Sequence, residues 1–153
     1  MARFSASRVG LPLHEIFGAT ETGVIAANWS CGARQVGSFG RVAPGVDVAV
    51  IDASGEPVSF GTEGEMIVRS PANTIGYWND PIATAGALVN GWFYTGDLVS
   101  QDPEGNLWFR GRKREIIVRG GANVSPQEVE EIFYQHGVVR EAGVVGASVS
   151  LLL

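Results

Sequence analysis

Val46–Pro57 reads VDVAVIDASGEP, and its alternation points to the architecture of the whole chain. Val46, Val48 and Val50 recur at every second position between Asp47 and Ala49, the period of a half-buried strand. DASGEP then supplies the acidic, glycine and proline chemistry of a turn, so the stretch reads as a strand entering a hairpin. Working outward, Glu65–Arg69 (EMIVR) and Leu107–Phe109 (LWF) have the same character. The second of these is launched by Asp102–Gly105 (DPEG), a proline-centred turn closed by glycine. Glycine contributes 21 of 153 residues, roughly twice its usual share of about 7%, which keeps elements short. From Gly37 to Arg112 the pattern therefore predicts a twisted, mostly antiparallel β region with few helices.

Beyond Arg112 the texture changes. Glu115–Arg119 (EIIVR) predicts a further strand and GGAN from Gly120 a break. Ser125-Pro126-Gln127-Glu128 carries an N-cap serine, a first-turn proline and a capping-box glutamate. Val129, Ile132, Phe133 and His136 then fall at i, i+3, i+4 and i+7, the spacing of one buried helical stripe, with Gly137 placed to end the helix. REAGVVGAS from Arg140 reads as another strand. The fold class expected is mixed α+β: a β-rich, twisted or barrel-like subdomain followed by the beginning of a small β-β-α-β domain. The change of texture falls at Gly111-Arg112.

Composition excludes several classes. Hydrophobic residues make up 45% of the chain and charged residues 18%, a globular rather than a disordered balance. A formal net charge of -5 provides no basic field for nucleic acid or anionic lipid. Cys31 is the only cysteine, which excludes an internal disulfide and a multi-cysteine zinc site and fits a reducing, cytoplasmic setting. No apolar run approaches the ~20 residues that a membrane helix needs. The opening MARFSASRVGL is Arg/Ser-rich and acid-poor, as transit peptides are, but Phe4, Val9, Leu11 and Leu13 equally suit an amphipathic segment.

Three short motifs could carry chemistry. In Phe17–Gly23 (FGATETG) two glycines keep the backbone open, Thr20 offers a hydroxyl and Glu21 a hard anionic oxygen suited to Mg²⁺. The same letters serve equally as a turn followed by a helix cap. In Tyr94–Leu98 (YTGDL) a carboxylate beside glycine can accept hydrogen bonds from two vicinal hydroxyls, or can simply close a turn on its own backbone. In GRKREIIVRGGANVSP, from Gly111, the cations Arg112, Lys113, Arg114 and Arg119 surround a strand and could bind an anion or form a solvated face. His14 and His136 lack partners at ligand spacing; His136 reads as helix-face packing and His14 as structure preceding the first motif.

Taken jointly, in this order, FGATETG, YTGDL and GRKREIIVRGGANVSP resemble the adenylate-forming superfamily of acyl- and aryl-CoA synthetases, luciferases and peptide-synthetase adenylation domains. GSFGRVAPGVDVAVID, GEMIVRSP and IGYWNDP, between the motifs, are similar to the same family, so the resemblance runs from about Ile16 to Gly146. It implies that the ring of Phe17, where the family usually has tyrosine, stacks on adenine beside Gly18. It further implies that Thr20 contacts phosphate and Glu21 holds Mg²⁺, and these two are the candidate catalytic residues. Asp97 would hold the ribose hydroxyls and Arg112 the ribose or phosphate. Arg114 would mark the hinge, where the family more usually has aspartate or lysine. Gly121, in RGGANVSP, matches the form found in CoA synthetases, where glycine lets the pantetheine arm of coenzyme A pass.

The implied ligands are thus ATP or AMP, Mg²⁺, coenzyme A and a carboxylic acid whose identity the residues do not specify; nucleic acid is not expected. VIAANWS, after Gly23, would line part of the acid's pocket. The implied organisation is residues 1–110 as the end of a large AMP-binding domain, 111–115 as hinge and 116–153 as the start of a small one. The family's phosphate loop and its C-terminal lysine have no match in these residues, and ASVSLLL departs from the family after Gly146. The expectation is a fragment inactive alone that self-associates through exposed faces. An amino-acid adenylating enzyme and a non-catalytic module on the same scaffold are the competing expectations.

Overall fold

The computed structural model of the chain describes Gly10 and residues 14–29, 34–119 and 121–147. Cys31, most of the N-terminal segment and the SVSLLL tail lie outside the described residues. Among the described residues ten strands and two helices follow in order: β1 (Ile16–Ala19), β2 (Gly23–Ala27), β3 (Gly40–Val42), β4 (Asp47–Ile51), β5 (Glu63–Arg69), α1 (Pro81–Ala87), β6 (Leu88–Val89), β7 (Trp92–Gln101), β8 (Asn106–Arg112), β9 (Ile117–Arg119), β10 (Ala122–Val124) and α2 (Pro126–Tyr134). This is the expected mixed α+β class.

Strands β1 to β8 form one antiparallel sheet in the order β1-β2-β3-β8-β7-β5-β4, with β6 paired to β7, and β9 and β10 form a separate two-stranded sheet. The path is open, with β1 and β4 as its edges. The alternation read in VDVAVI is realised: Val50 is buried and Val46 and Val48 pack against the core. The turn after it is held by Asp52, whose Oδ1 accepts from the amides of Ser54 and Glu56 and from the Ser54 hydroxyl. The Ser54 hydroxyl and the Glu56 amide together hold the Asp52 carboxyl below its ordinary pKa. DPEG likewise joins β7 to β8, with Asp102 accepting from the Asn106 amide and from Trp108 Nε1.

The core is Ile25, Ala26, Val50, Met66, Val68, Val99 and Leu107. Ile25, Met66 and Leu107 are wholly buried, and each such side chain contributes about 1.5–3 kcal/mol by leaving water. Ile25 reaches the core through an irregularity: the register of β1 on β2 shifts between Phe17 and Gly18, leaving Ile25 as an extra residue on β2.

Several sequence expectations are corrected. Helix α1 lies inside the supposedly helix-poor region; its N-cap Asp80 accepts from the Ala83 amide, Pro81 opens the first turn and no residue of it is buried. Ser125 does cap α2 by position but makes no side-chain cap hydrogen bond, so no capping box forms. Its hydroxyl instead donates to the Arg110 carbonyl at 3.1 Å, because the helix start packs against β8. The stripe on α2 is not buried: Ile132 is 67% exposed and Phe133 49%. The helix ends at Tyr134, so His136 lies beyond it, exposed, rather than on its packed face. GGAN is not a plain break, since Ala122–Val124 is β10. Residues 140–147 form no strand. They are tied to α2 by the Val144 amide, which donates to Glu130 Oε1.

Candidate functional site

The Thr-Gly-Asp of YTGDL is a bulge. Glu65 pairs with Leu98 and Ile67 with Tyr94, so Met66 alone on β5 faces Thr95, Gly96 and Asp97 on β7. Gly96 takes φ +71, a left-handed conformation that a Cβ would strain. The bulge is pinned by Thr95 Oγ1, which donates to the Met66 carbonyl and accepts from the Asp97 amide, and by the Lys113 amide, which donates to the Gly96 carbonyl. Bulges re-aim side chains, and this one places Asp97 directly across the β7–β8 ladder from Arg112.

Asp97 is 4% exposed and its Oδ1 has no hydrogen-bond partner. Arg112 Nε stands 3.1 Å from that oxygen, an ion pair without hydrogen-bond alignment. Burial pushes the Asp97 carboxyl above its ordinary pKa; Arg112 opposes the rise and Glu115 adds to it. A buried acceptor with an empty lone pair is held ready for a donor. Arg112 itself is exposed at the end of β8.

FGATETG is a strand–turn–strand rather than a turn leading to a helix cap. Gly18 sits where a Cβ would run into the Gly23 carbonyl oxygen, so only glycine lets β1 and β2 close this tightly. Thr20 lies exposed at the turn and Glu21 half-buried beside it. The Glu21 carbonyl accepts from the Thr74 amide at 2.6 Å and its Oε1 from the Tyr77 hydroxyl at 3.0 Å. Burial and this bond to Glu21 raise the Tyr77 pKa, while the charge of Arg114 lowers it. Among the described residues no three His, Cys, Asp or Glu gather as a metal cage. A lone carboxylate of this kind suits a hard cation completed by phosphate oxygens and water, the usual manner of Mg²⁺.

The Phe17 ring is stacked on Phe39 at 4.0 Å, and Phe39 meets Phe109 of β8 at 5.6 Å. One face of Phe17 is therefore occupied, and a base would need the other. Separate contacts link each motif to β8 or to the residues just beyond it: Phe17 through Phe39 and Phe109, Asp97 through Arg112, and Glu21 through Tyr77 within the field of Arg114. Lys113, next to Arg114, is anchored to Glu65 by a 2.6 Å ion pair. Gly121 stands apart at the β9–β10 turn, with φ +84 and open space where a side chain would be. A cavity of about 1520 Å³ opens between residues 114–118, α2 and residues 140–147. His14 is structural: its Nδ1 lies 2.8 Å from the Asn28 carbonyl oxygen. Tyr77 is the site residue that local sequence reasoning missed, because it reaches Glu21 from 56 positions away.

The chain is 43% identical over 141 residues to indoleacetate–CoA ligase of Aromatoleum aromaticum, covering 91% of this chain and 28% of that enzyme. It is 39% identical to long-chain-fatty-acid–CoA ligase of Bacillus subtilis, over 90% of this chain and 25% of the relative. The crystal structure of ATP-bound MatB from Rhodopseudomonas palustris superposes with a TM-score of 0.88 at 32% identity, covering 94% of this chain and 29% of that one. The fold is that of the adenylate-forming superfamily, in its CoA-ligase-like branch. Residues 1–78 match the AMP-binding enzyme family, and the chain belongs to that family. It spans little more than a quarter of the length of these curated relatives.

Proposed function

We propose that these residues supply the ribose-, phosphate- and cation-facing side of an acyl- or aryl-CoA synthetase site. Asp97 accepts the two ribose hydroxyls, Arg112 meets ribose or phosphate, Phe17 offers its free face to adenine beside Gly18, and Thr20 contacts phosphate. Glu21 holds Mg²⁺, which when bound neutralises charge on the nucleotide phosphates. The carboxylate substrate attacks the α-phosphorus of ATP and pyrophosphate leaves; the thiol of coenzyme A then attacks the acyl carbon and AMP leaves. The protein's share is to position reactants and neutralise charge. Gly121 gives the pantetheine arm room, Arg114 marks the hinge, and the division into 1–110, 111–115 and 116–153 follows the family. One cysteine and a negative net charge fit the cytoplasm. Among the described residues no helix is long and apolar enough to cross a membrane.

The observation that carries this reading is the buried Asp97 Oδ1, which is ion-paired with Arg112 but accepts no hydrogen bond. A nucleotide that satisfies it raises the melting temperature by mass action. Millimolar AMP or ATP, about the concentration a weak half-site requires, should shift the melt, and Asp97→Ala should abolish the shift. The absence of any shift would favour a non-catalytic module on the same scaffold.

A further inference from the structure

We propose that Tyr77 is a positioning residue for Glu21: its hydroxyl fixes Glu21 Oε1 and leaves the other carboxylate oxygen to a divalent cation. The inference rests on the reading that Glu21 faces such a cation. Two hydrogen bonds from one loop grip both ends of Glu21. The Thr74 amide holds its carbonyl at 2.6 Å and Tyr77 Oη donates to its carboxylate at 3.0 Å. A glutamate left to itself samples many rotamers, and ordering it costs entropy; partners behind a metal ligand commonly set its orientation.

The loop that presents Tyr77 is itself braced. Thr74 Oγ1 donates to the Gly76 carbonyl and accepts from the Gly76 amide. The Tyr77 amide donates to Thr84 Oγ1 at 2.9 Å, and that hydroxyl donates to the Asp80 carbonyl at 2.7 Å. Asp80 also caps α1. Gly76 has φ +148, and a Cβ there would stand 2.8 Å from Thr84 Cγ2. Helix α1 has no buried residue, so it contributes little to the core. What it does hold, through Thr84 and Asp80, is the backbone that aims Tyr77.

The test is a titration of the ¹⁵N-labelled chain with Mn²⁺ alone, reading paramagnetic broadening of the Thr20, Glu21 and Thr22 amides. In the unmutated chain these should broaden selectively, and Glu21→Gln should lose the effect. Tyr77→Phe, which keeps the ring and its packing, should need about three- to tenfold more Mn²⁺ for the same broadening, the worth of one hydrogen bond. Broadening in Tyr77→Phe equal to that of the parent would overturn the positioning role while leaving the cation reading intact. No selective broadening in the parent, or broadening indifferent to Glu21→Gln, would instead sink the cation reading and this inference with it. Overhauser contacts between the Tyr77 ring and the Glu21 methylenes of the unmutated chain are expected independently of any variant; their absence would also overturn the proposal.

Discussion

Replacing Asp97 by asparagine should stabilise the chain at neutral pH and weaken its hold on nucleotide. Asp97 is 4% exposed, its Oδ1 lacks a hydrogen bond, and its ion-pair partner Arg112 has a side chain 59% exposed to water. A buried acceptor left unsatisfied costs about 1–3 kcal/mol, and more when charged. Asparagine keeps the shape and removes the charge, so a gain of about 1–2 kcal/mol is expected. For a chain of this size that corresponds to a melting temperature higher by about 2–8 °C. The pH dependence has a definite sign. Because the folded-state pKa is raised above 3.8, the folded protein holds this proton more tightly than the unfolded chain does. Below 3.8 the carboxyl is protonated in both states and its contribution is intact; stability is lost as pH rises through the folded-state value. The difference between Asp97→Asn and the parent in urea unfolding should therefore be small in acid, open above pH 3.8 and level off near neutrality. An asparagine variant less stable than the parent at neutral pH would refute the reasoning, since Asp97 would then be the stabilising half of its pair with Arg112.

Gly18→Ala should lower stability by about 1–3 kcal/mol, the cost of forcing a methyl into packed space, because the atom it meets is the Gly23 backbone oxygen. An unchanged urea midpoint would show that the β1–β2 hairpin can open without loss. Ile75, Trp78 and Ile82 are 101%, 99% and 85% exposed along one short stretch, an apolar patch of the kind that promotes association. Light scattering at about tens of micromolar, where contacts of this size act, should find a dimer or larger species, and a clean monomer would refute it.

What was legible in the sequence followed from local physics. VDVAVI and DPEG declare themselves because period-two burial and turn chemistry act within a few residues. Helix α1 escaped because PIATAGA has no apolar stripe; its one signal, Asp80 followed by Pro81, is the same cap-and-proline pair that made Ser125-Pro126 conspicuous. The start of α2 was found for the right residues and the wrong bond, since the Ser125 hydroxyl turns to the Arg110 carbonyl. Its stripe was read correctly as apolar, yet burial depends on what covers a face, and periodicity says nothing of that.

The site shows the same division more sharply. From YTGDL alone, a turn aspartate and a ligand carboxylate are indistinguishable, and the structure shows why the choice was false. The residues do form an irregular turn of backbone, but within a strand, where two extra positions on β7 rotate the carboxylate inward against Arg112. The turn chemistry of Thr95 and Gly96 is what creates the buried acceptor. Such a bulge is set by pairing with β5 and β8, whose registers no window around Asp97 contains. Tyr77 is the limiting case: its bond to Glu21 spans 56 positions, so only the folded chain brings the pair together. Motif order thus suffices to propose which side chains meet a ligand, whereas the contacts that aim them are visible only in the fold.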